Sequence, residues 1–169
     1  MNKFTLFAAA LTFVGAAQSQ IYSDDFESYN AGAGIAAQSN QWTIWPAAGA
    51  QDANVVTTNA NSGSNSLYFE AVGTGGPQDV LMNLDQQYAD GIVTIEASIN
   101  VVAGASAYFN LQATPTAGTT WAMDCYVENG KLRIQNGATV ALSAPVTEGT
   151  WADLRIVSNL STGIWAAFI

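Results

Sequence analysis

Alternation of apolar and polar residues with a period of two constrains this chain more than any other feature. It is clearest in residues 92–102, where Val93 and Ile95 alternate with Thr94 and Glu96. Successive side chains of a β-strand point to opposite faces of the sheet, so this period predicts strands with one buried and one solvated side. Beyond the N-terminal segment no stretch has a helical period. The sequence therefore predicts an all-β protein.

Shorter stretches repeat the same alternation and are separated by turn signals. They are residues 66–70, 106–112, 119–127, 131–135, 139–142, 151–157 and 163–169. Asn129-Gly130 and Asn136-Gly137 favour two-residue hairpin turns, because Asn and Gly tolerate positive φ at both turn positions. We expect a three-stranded antiparallel meander over 119–142 and a further pair over 151–169. Residues 30–61 are expected to be a loop-rich edge with only short strand candidates, around 42–45 and 53–58. Many short strands joined by turns indicate a β-sandwich or barrel.

The charge balance excludes several classes of function. The chain has 13 acidic and 4 basic side chains, no histidine and a formal net charge of −9. Nucleic acids and anionic membrane surfaces are bound by clusters of Lys and Arg, so neither is an expected partner. Without histidine there is no Ser–His or Cys–His nucleophile pair and no imidazole metal site.

The N-terminus has the features of a secretory signal. Lys3 precedes an apolar stretch, and Ala17 and Ser19 put small residues at the −3 and −1 positions of a cleavage site before Gln20. We expect residues 1–19 to be a signal peptide and the mature protein to be secreted, extracellular or on the cell surface. The alternative is a buried N-terminal helix.

The mature part, residues 20–169, is long enough for a single domain with an ordinary core. Its one cysteine, Cys125, cannot form an internal disulfide. Cys125 shares its strand parity with Met123 and Val127, which favours a buried free thiol over a reactive one. The strand pattern at 163–169 stops in mid-run, so we expect a fragment of a longer protein. The alternative is a strand that closes the sheet internally.

Several motifs resemble a known family. They are Asp24-Asp25-Phe26-Glu27-Ser28-Tyr29, Ser62-Gly63-Ser64-Asn65-Ser66-Leu67, Trp151 with Leu154-Arg155-Ile156, and Trp165 with Phe168-Ile169. Over nearly all of 21–169 the chain resembles the concanavalin A-like, laminin-G-like jelly-roll modules of secreted bacterial proteins. The resemblance implies an antiparallel β-sandwich with jelly-roll topology, acting as a binding or adhesion module. The Asp-Gly turn and closing strand of that family are missing here.

The resemblance also suggests a cofactor, because the family often binds a structural ion where its first and last strands meet. Ca²⁺ needs six to eight oxygen ligands. Asp24, Asp25 and Glu27 form a compact acidic opening that would supply some of them. A solvated acidic terminus without an ion is the alternative.

Catalysis is not expected, although the same jelly roll hosts β-glucanases with a Glu-x-Asp-x-x-Glu strand. No Glu-x-Asp occurs in this chain. Asp124 and Glu128 share a strand face, but four residues at about 3.3 Å each separate them by about 13 Å. Glycosidase carboxylates lie about 5–9.5 Å apart. A glycoside hydrolase of the same fold is the less favoured alternative.

Carbohydrate binding is predicted from the polar faces of the strands. If the apolar sets face the core, the opposite parity presents Tyr68, Glu70, Glu96, Asn100, Tyr108, Asn110, Gln112, Asp124 and Tyr126. Amides and carboxylates bond sugar hydroxyls, and aromatic rings stack on the apolar faces of sugars. We expect polysaccharide or surface glycan as the partner of a monomeric module within a larger protein.

The alternative is a structural or protein-interaction module whose polar sheet face is simply solvated. If the face binds glycan, Tyr108 and Tyr126 should lie on the same side of one sheet. Asn110 and Asp124 should then lie beside them.

Overall fold

The fold was analysed in a computed structural model that describes residues 21–70, 76–84 and 86–169. The predicted signal peptide, residues 1–19, lies outside the described residues. The strands are β1 (Trp42–Ile44), β2 (Asn54–Val56), β3 (Ser66–Tyr68), β4 (Val80–Met82), β5 (Ile92–Asn100), β6 (Ala107–Gln112), β7 (Trp121–Glu128), β8 (Lys131–Asn136), β9 (Thr139–Pro145), β10 (Trp151–Asn159) and β11 (Ile164–Phe168). The described residues form no helix, so none of them provides a helical span across a membrane. The all-β prediction is confirmed.

The largest sheet is antiparallel, with the order β6-β7-β8-β9. The predicted meander is confirmed as β7, β8 and β9, and β6 adds a fourth strand. Asn129 and Gly130 both have positive φ, 52° and 69°, and join β7 directly to β8. At the next turn the expectation was wrong, because Asn136 is the last residue of β8 and pairs with Thr139.

Gly137 and Ala138 therefore form that second turn. Gly137 has a φ of 56°, and Asn136 is not among the residues with positive φ. A glycine at the first turn position supplies the positive φ there without the steric penalty of a Cβ atom. The Asn-Gly signal located the turn but placed its centre one residue too early.

A second antiparallel sheet has the order β11-β10-β5. The predicted pairing of the last two strands is confirmed, with Arg155 opposite Phe168 and Asn159 opposite Ile164. β5 pairs with β10 along its whole length, from Ile92 to Asn100. Strands β5 and β6 are neighbours in sequence but lie in different sheets.

One apolar core is shared by these two sheets, as in a β-sandwich. Its buried members are Val101, Met123, Cys125, Val127, Leu132, Ile134, Leu154 and Ile156. Ile95 and Ile99 of β5 and Phe109 of β6 pack against it, so the inward parities match those read from the sequence. In β11, Trp165 and Ala167 pack on this core. Ile164 consequently points outward and is 71% exposed.

Residues 30–61 contain β1 and β2, which correspond to the short strand candidates around 42–45 and 53–58. β2 pairs with β3, and β1 pairs with β4, a strand that the sequence analysis did not predict. The backbone N–H of Ile35 donates to the carbonyl of Ala53, and that of Val55 donates to Ala33. Ile35, Ala53 and Val55 are fully buried. These three residues are buried but do not belong to the core shared by the two large sheets.

Cys125 is a buried free thiol, as predicted. Desolvation by burial, with a smaller contribution from the charge of Asp124, raises the pKa of the Cys125 thiol to about 12. The thiolate is the reactive form of cysteine, so this residue serves packing.

A matched pair of isoleucines tests the placement of the core. We expect Ile134→Ala to lower the free energy of unfolding by about 2–5 kcal/mol, because Ile134 is fully buried between the two large sheets. Ile164→Ala removes the same atoms from an exposed position and should cost less than about 1 kcal/mol. Urea denaturation followed by circular dichroism measures both. Equal losses would contradict the packing described.

Candidate functional site

Tyr108 and Tyr126 lie side by side on the outer face of the four-stranded sheet. They are directly opposite each other in β6 and β7, and their ring centroids are 4.8 Å apart at an interplanar angle of 44°. Asn110 and Asp124 form the adjacent cross-strand pair. Directly opposed residues point to the same side of a sheet. The predicted juxtaposition of these four side chains is confirmed.

A chain of hydrogen bonds connects the polar groups on this face. The hydroxyl of Tyr108 donates to Oδ1 of Asp124 at 2.7 Å, and Nδ2 of Asn110 donates to the Tyr108 hydroxyl at 3.1 Å. Nε2 of Gln112 donates to Oδ1 of Asn110, while Oε1 of Gln112 accepts from the backbone N–H of Gly118. The chain holds the four side chains in one arrangement and leaves Oδ2 of Asp124 without a hydrogen bond in the described residues.

Ionisation of Tyr108 is suppressed by its surroundings. Partial burial and the hydrogen bond to Asp124 together raise the pKa of Tyr108 to about 12. The phenol therefore stays protonated at neutral pH and keeps donating to the carboxylate. The Tyr108–Asp124 hydrogen bond is charge-assisted, the stronger class of such bonds.

The sequence analysis missed the contribution of β8 to this face. Arg133 is directly opposite Tyr126, and its guanidinium carbon lies 4.2 Å from the centroid of the Tyr126 ring. The guanidinium also donates to Glu128 Oε1, at 2.6 Å from Nη2, and to Oε1 of Gln135. Arg133 and Tyr108 come from strands on opposite sides of β7, so Tyr126 is flanked on both sides. Tyr108 is the open ring of the pair, 49% exposed.

The position of Arg133 could have been read from the Asn129-Gly130 turn. A two-residue turn fixes the pairing of the flanking strands, so Glu128 pairs with Lys131 and Tyr126 with Arg133. We call the set on this surface the tyrosine face. It consists of Tyr108, Asn110, Gln112, Asp124, Tyr126, Glu128, Lys131, Arg133 and Gln135. The negative charges of Asp124 and Glu128 on this face are balanced by the positive charges of Lys131 and Arg133.

A shallow depression of about 210 Å³ lies at one end of the tyrosine face. It is lined by Glu128, Asn129, Lys131, Arg133 and Ser143. Polar side chains with both donors and acceptors therefore extend beyond the tyrosine pair.

The other four predicted ligand-binding residues are elsewhere. Tyr68 is in β3, and Glu70 follows that strand. Glu96 and Asn100 are in β5, in the other large sheet, where Glu96 forms an exposed ion pair with Arg155 at 3.3 Å. Because the two large sheets share a core, their outer faces are on opposite sides. The nine residues therefore do not form one surface; only the five on β6 and β7 do.

Asp24, in the acidic opening, is an acceptor for four donors. Its oxygens accept from the hydroxyls of Tyr22 and Tyr29 at 2.9 and 2.8 Å, from Nε1 of Trp42 at 2.9 Å, and from the backbone N–H of Phe26 at 2.9 Å. Burial alone would raise the pKa of Asp24, but these hydrogen bonds outweigh it and lower that pKa below the ordinary value. Asp24 thereby fastens the N-terminal segment to β1.

Asp25 and Glu27 have different partners. Asp25 accepts from the backbone N–H of Glu27 at 3.1 Å. Glu27 accepts from the backbone N–H groups of Ser64 and Asn65 at 2.8 and 2.7 Å. Among the described residues no group of three or more His, Cys, Asp or Glu side chains is arranged to hold a metal ion. Calcium at Asp24, Asp25 and Glu27 stays a prediction from the resemblance.

No protein-family model, curated protein or solved structure matches the chain. The geometry of the tyrosine face and the sequence motifs are therefore the basis for inferring a function.

Substitution of Asp24 tests its role as a hydrogen-bond acceptor. We expect Asp24→Asn to lower the free energy of unfolding by about 1–3 kcal/mol at pH 7, because an amide cannot accept all four bonds. The pKa of Asp24 is lower in the folded state, so its contribution is present at neutral pH. The contribution is lost as the pH falls through the folded-state pKa.

The difference between Asp24→Asn and wild type should accordingly shrink below about pH 4. Asp25→Asn is the matched control, since Asp25 accepts one local hydrogen bond, and it should cost less than about 1 kcal/mol. Denaturant unfolding at several pH values measures the differences. A difference that is constant with pH would contradict the role given to Asp24.

Calcium binding can be tested on the same protein. If the acidic opening holds a structural ion, excess Ca²⁺ raises the melting temperature relative to a sample with chelator, because a ligand that binds only the folded state stabilises it. Glu27→Gln should reduce that rise. Calorimetry that finds the same melting temperature with Ca²⁺ and with chelator would eliminate the predicted site.

Proposed function

We propose that this protein is a noncatalytic carbohydrate-binding module that binds neutral polysaccharide on the tyrosine face. The observation that carries the proposal is the exposed ring of Tyr108, held beside the Asp124 carboxylate and the Asn110 amide. An aromatic platform next to fixed planar acceptors and donors matches a sugar ring, which has apolar C–H faces and hydroxyls at its rim.

The two tyrosines have different roles in this proposal. Tyr108 is 49% exposed and is the ring available for stacking. Tyr126 lies between Tyr108 and Arg133 and therefore holds the platform in position rather than contacting sugar. A platform fixed by its neighbours loses little conformational entropy when a ligand binds, which favours affinity.

The polar groups favour a neutral sugar over a charged one. Oδ2 of Asp124 is free to accept from a sugar hydroxyl. The Asn110 amide lies next to the Tyr108 ring on the same face of β6. The cation Arg133 is already paired with Glu128 at 2.6 Å, and the charges of the tyrosine face balance. The face therefore has hydrogen-bonding capacity without an excess of either charge.

The family resemblance supports the same role and adds its context. We propose the concanavalin A-like jelly-roll type for this sandwich and a secreted module that works within a larger protein, at the cell surface or outside the cell. Two antiparallel sheets around one core are consistent with that type. The motifs around Asp24 and Trp151 are the further support.

A protein-interaction or structural module is the competing proposal. One observation favours it: side chains of the tyrosine face form hydrogen bonds with one another. Such a face is stable in water without a ligand. Hydrolysis is not proposed. Asp124 and Glu128 are four residues apart along β7, and each carboxylate already accepts a hydrogen bond, from Tyr108 and from Arg133 respectively.

A pair of tyrosine substitutions tests the proposal. We expect Tyr108→Ala to weaken binding to insoluble polysaccharides several-fold, because a stacked aromatic ring contributes about 0.5–1.5 kcal/mol beyond area burial. Tyr68→Ala is the matched control, since Tyr68 is similarly exposed at 43% but lies on β3. It should bind as wild type does. Pull-down on a panel of polysaccharides measures the bound fraction.

Tyr108→Phe separates the ring from the hydroxyl. It keeps the stacking surface but removes the hydrogen bond to Asp124, so its binding should lie between those of wild type and Tyr108→Ala. Circular dichroism verifies the fold of each variant. Wild-type protein that binds no polysaccharide in the panel would reject the sugar proposal and favour the protein-interaction module.

A further inference from the structure

A second cleft lies at the end of the β1–β4 ribbon. Its Trp45 is close to Gly118, whose backbone N–H donates to Gln112 at one end of the tyrosine face. Ile44 pairs with Val80, and the next backbone hydrogen bond runs from the N–H of Trp45 to the carbonyl of Asp79 at 2.9 Å. Trp45 and Asp79 are therefore opposed across the ribbon, which puts their side chains on the same side. Both line a cleft of about 290 Å³, whose other lining residues are Ala47, Ala48, Gly49, Ala50, Gly76 and Pro77.

The carboxylate of Asp79 has no counterpart in the described chain. None of the described hydrogen bonds or ion pairs involves the carboxylate oxygens of Asp79. The residue is exposed to solvent, and partial desolvation by its neighbours raises its pKa. Asp24 makes a useful comparison, because four donors satisfy it and lower its pKa. An exposed carboxylate without a protein partner is hydrated and available to a cation from solution.

The sequence around the cleft offers no cation. Residues 4–130 contain no Lys, Arg or His. The cations of the described residues are Lys131 and Arg133 on β8 and Arg155 on β10. A cation that pairs with Asp79 would therefore come from outside this part of the chain, and the net charge of −9 favours its approach.

The remaining walls of the cleft indicate the kind of cation. Trp45 contributes an indole, the aromatic group that attracts cations most strongly through its ring face. Alanine, glycine and proline leave room beside it and offer small apolar surfaces. A metal ion is not suited to this site, since a single carboxylate is far short of the six to eight oxygens that Ca²⁺ takes. An indole next to a carboxylate suits a cation with an apolar surface.

We propose that the Trp45–Asp79 cleft binds an organic ammonium group, with Asp79 neutralising the charge and the indole of Trp45 packing on the alkyl surface around the nitrogen. None of the residues that line this cleft belongs to the tyrosine face, and the proposal does not depend on carbohydrate binding there. The shared chemistry is a quaternary or primary alkylammonium, which a choline-like compound and an amino sugar both carry.

Choline and its uncharged isostere test the charge requirement. In an NMR titration of the full chain, choline should shift the indole N–H signal of Trp45, which Trp45→Phe identifies. 3,3-Dimethylbutan-1-ol has the same shape without the charge and should bind at least about tenfold more weakly. A second arm compares glucosamine with N-acetylglucosamine, in which acetylation removes the charge. The pair that shows the larger difference identifies the source of the ammonium.

Asp79→Asn should reduce the affinity for choline about tenfold, because the neutral amide is nearly isosteric with the carboxylate. Asp90→Asn removes an exposed carboxylate elsewhere and should leave the affinity unchanged. Tyr108→Ala should also leave it unchanged, which separates this site from the proposed carbohydrate face. If Trp45→Phe does not fold, the shifts of the backbone signals around Asp79 in the wild-type protein give the same readout.

Equal binding of choline and its isostere would overturn the proposal, and so would an Asp79→Asn variant that binds choline as wild type does. The absence of any shift with choline or glucosamine would overturn it as well.

Discussion

The packing of β7 and β8 against β10 is the interaction on which the rest of the structure depends. Cys125, Val127, Leu132 and Ile134 are fully buried, and they face Ile156 of the other sheet. Strand side chains alternate, so burying this set forces every second residue of β7 and β8 to the outer surface. A slip of one residue would expose the core and bury charges such as Arg133. The core therefore fixes the tyrosine face without any direct contact with it.

The turn at Asn129-Gly130 sets the register between β7 and β8 and so determines which side chains are neighbours. With both residues at positive φ, Tyr126 is opposite Arg133 and Glu128 is opposite Lys131. Arg133 then reaches both Glu128 and the ring of Tyr126, so one cation supports an ion pair and an aromatic contact. In a chain with so few basic residues, the arrangement of the proposed binding face depends on this single guanidinium.

Several acidic residues elsewhere are accommodated by neutral donors instead of cations. Tyr22, Tyr29 and Trp42 donate to Asp24, and backbone N–H groups donate to Glu27. Glu148 likewise accepts from the backbone N–H groups of Gly104 and Gly130, which lowers its pKa. These bonds join loops that are distant in sequence. Asp79 has no such donor among the described residues and is opposed to Trp45, and this combination carries the ammonium proposal.

The sequence by itself determined most of the strands, the inward faces of β5, β6 and β7, the buried thiol of Cys125 and the outward direction of Tyr108 and Tyr126. These features follow from alternation and turn residues, which act over a few neighbouring positions. Only the tertiary structure decided which strands meet. β5 pairs with β10 instead of its sequence neighbour β6, which puts Glu96 and Asn100 on the opposite side from Tyr108. It also decided the partners of Asp24 and the meeting of Trp45 with Asp79. Pairing between distant strands depends on how whole apolar faces pack, and no local pattern in the sequence records that.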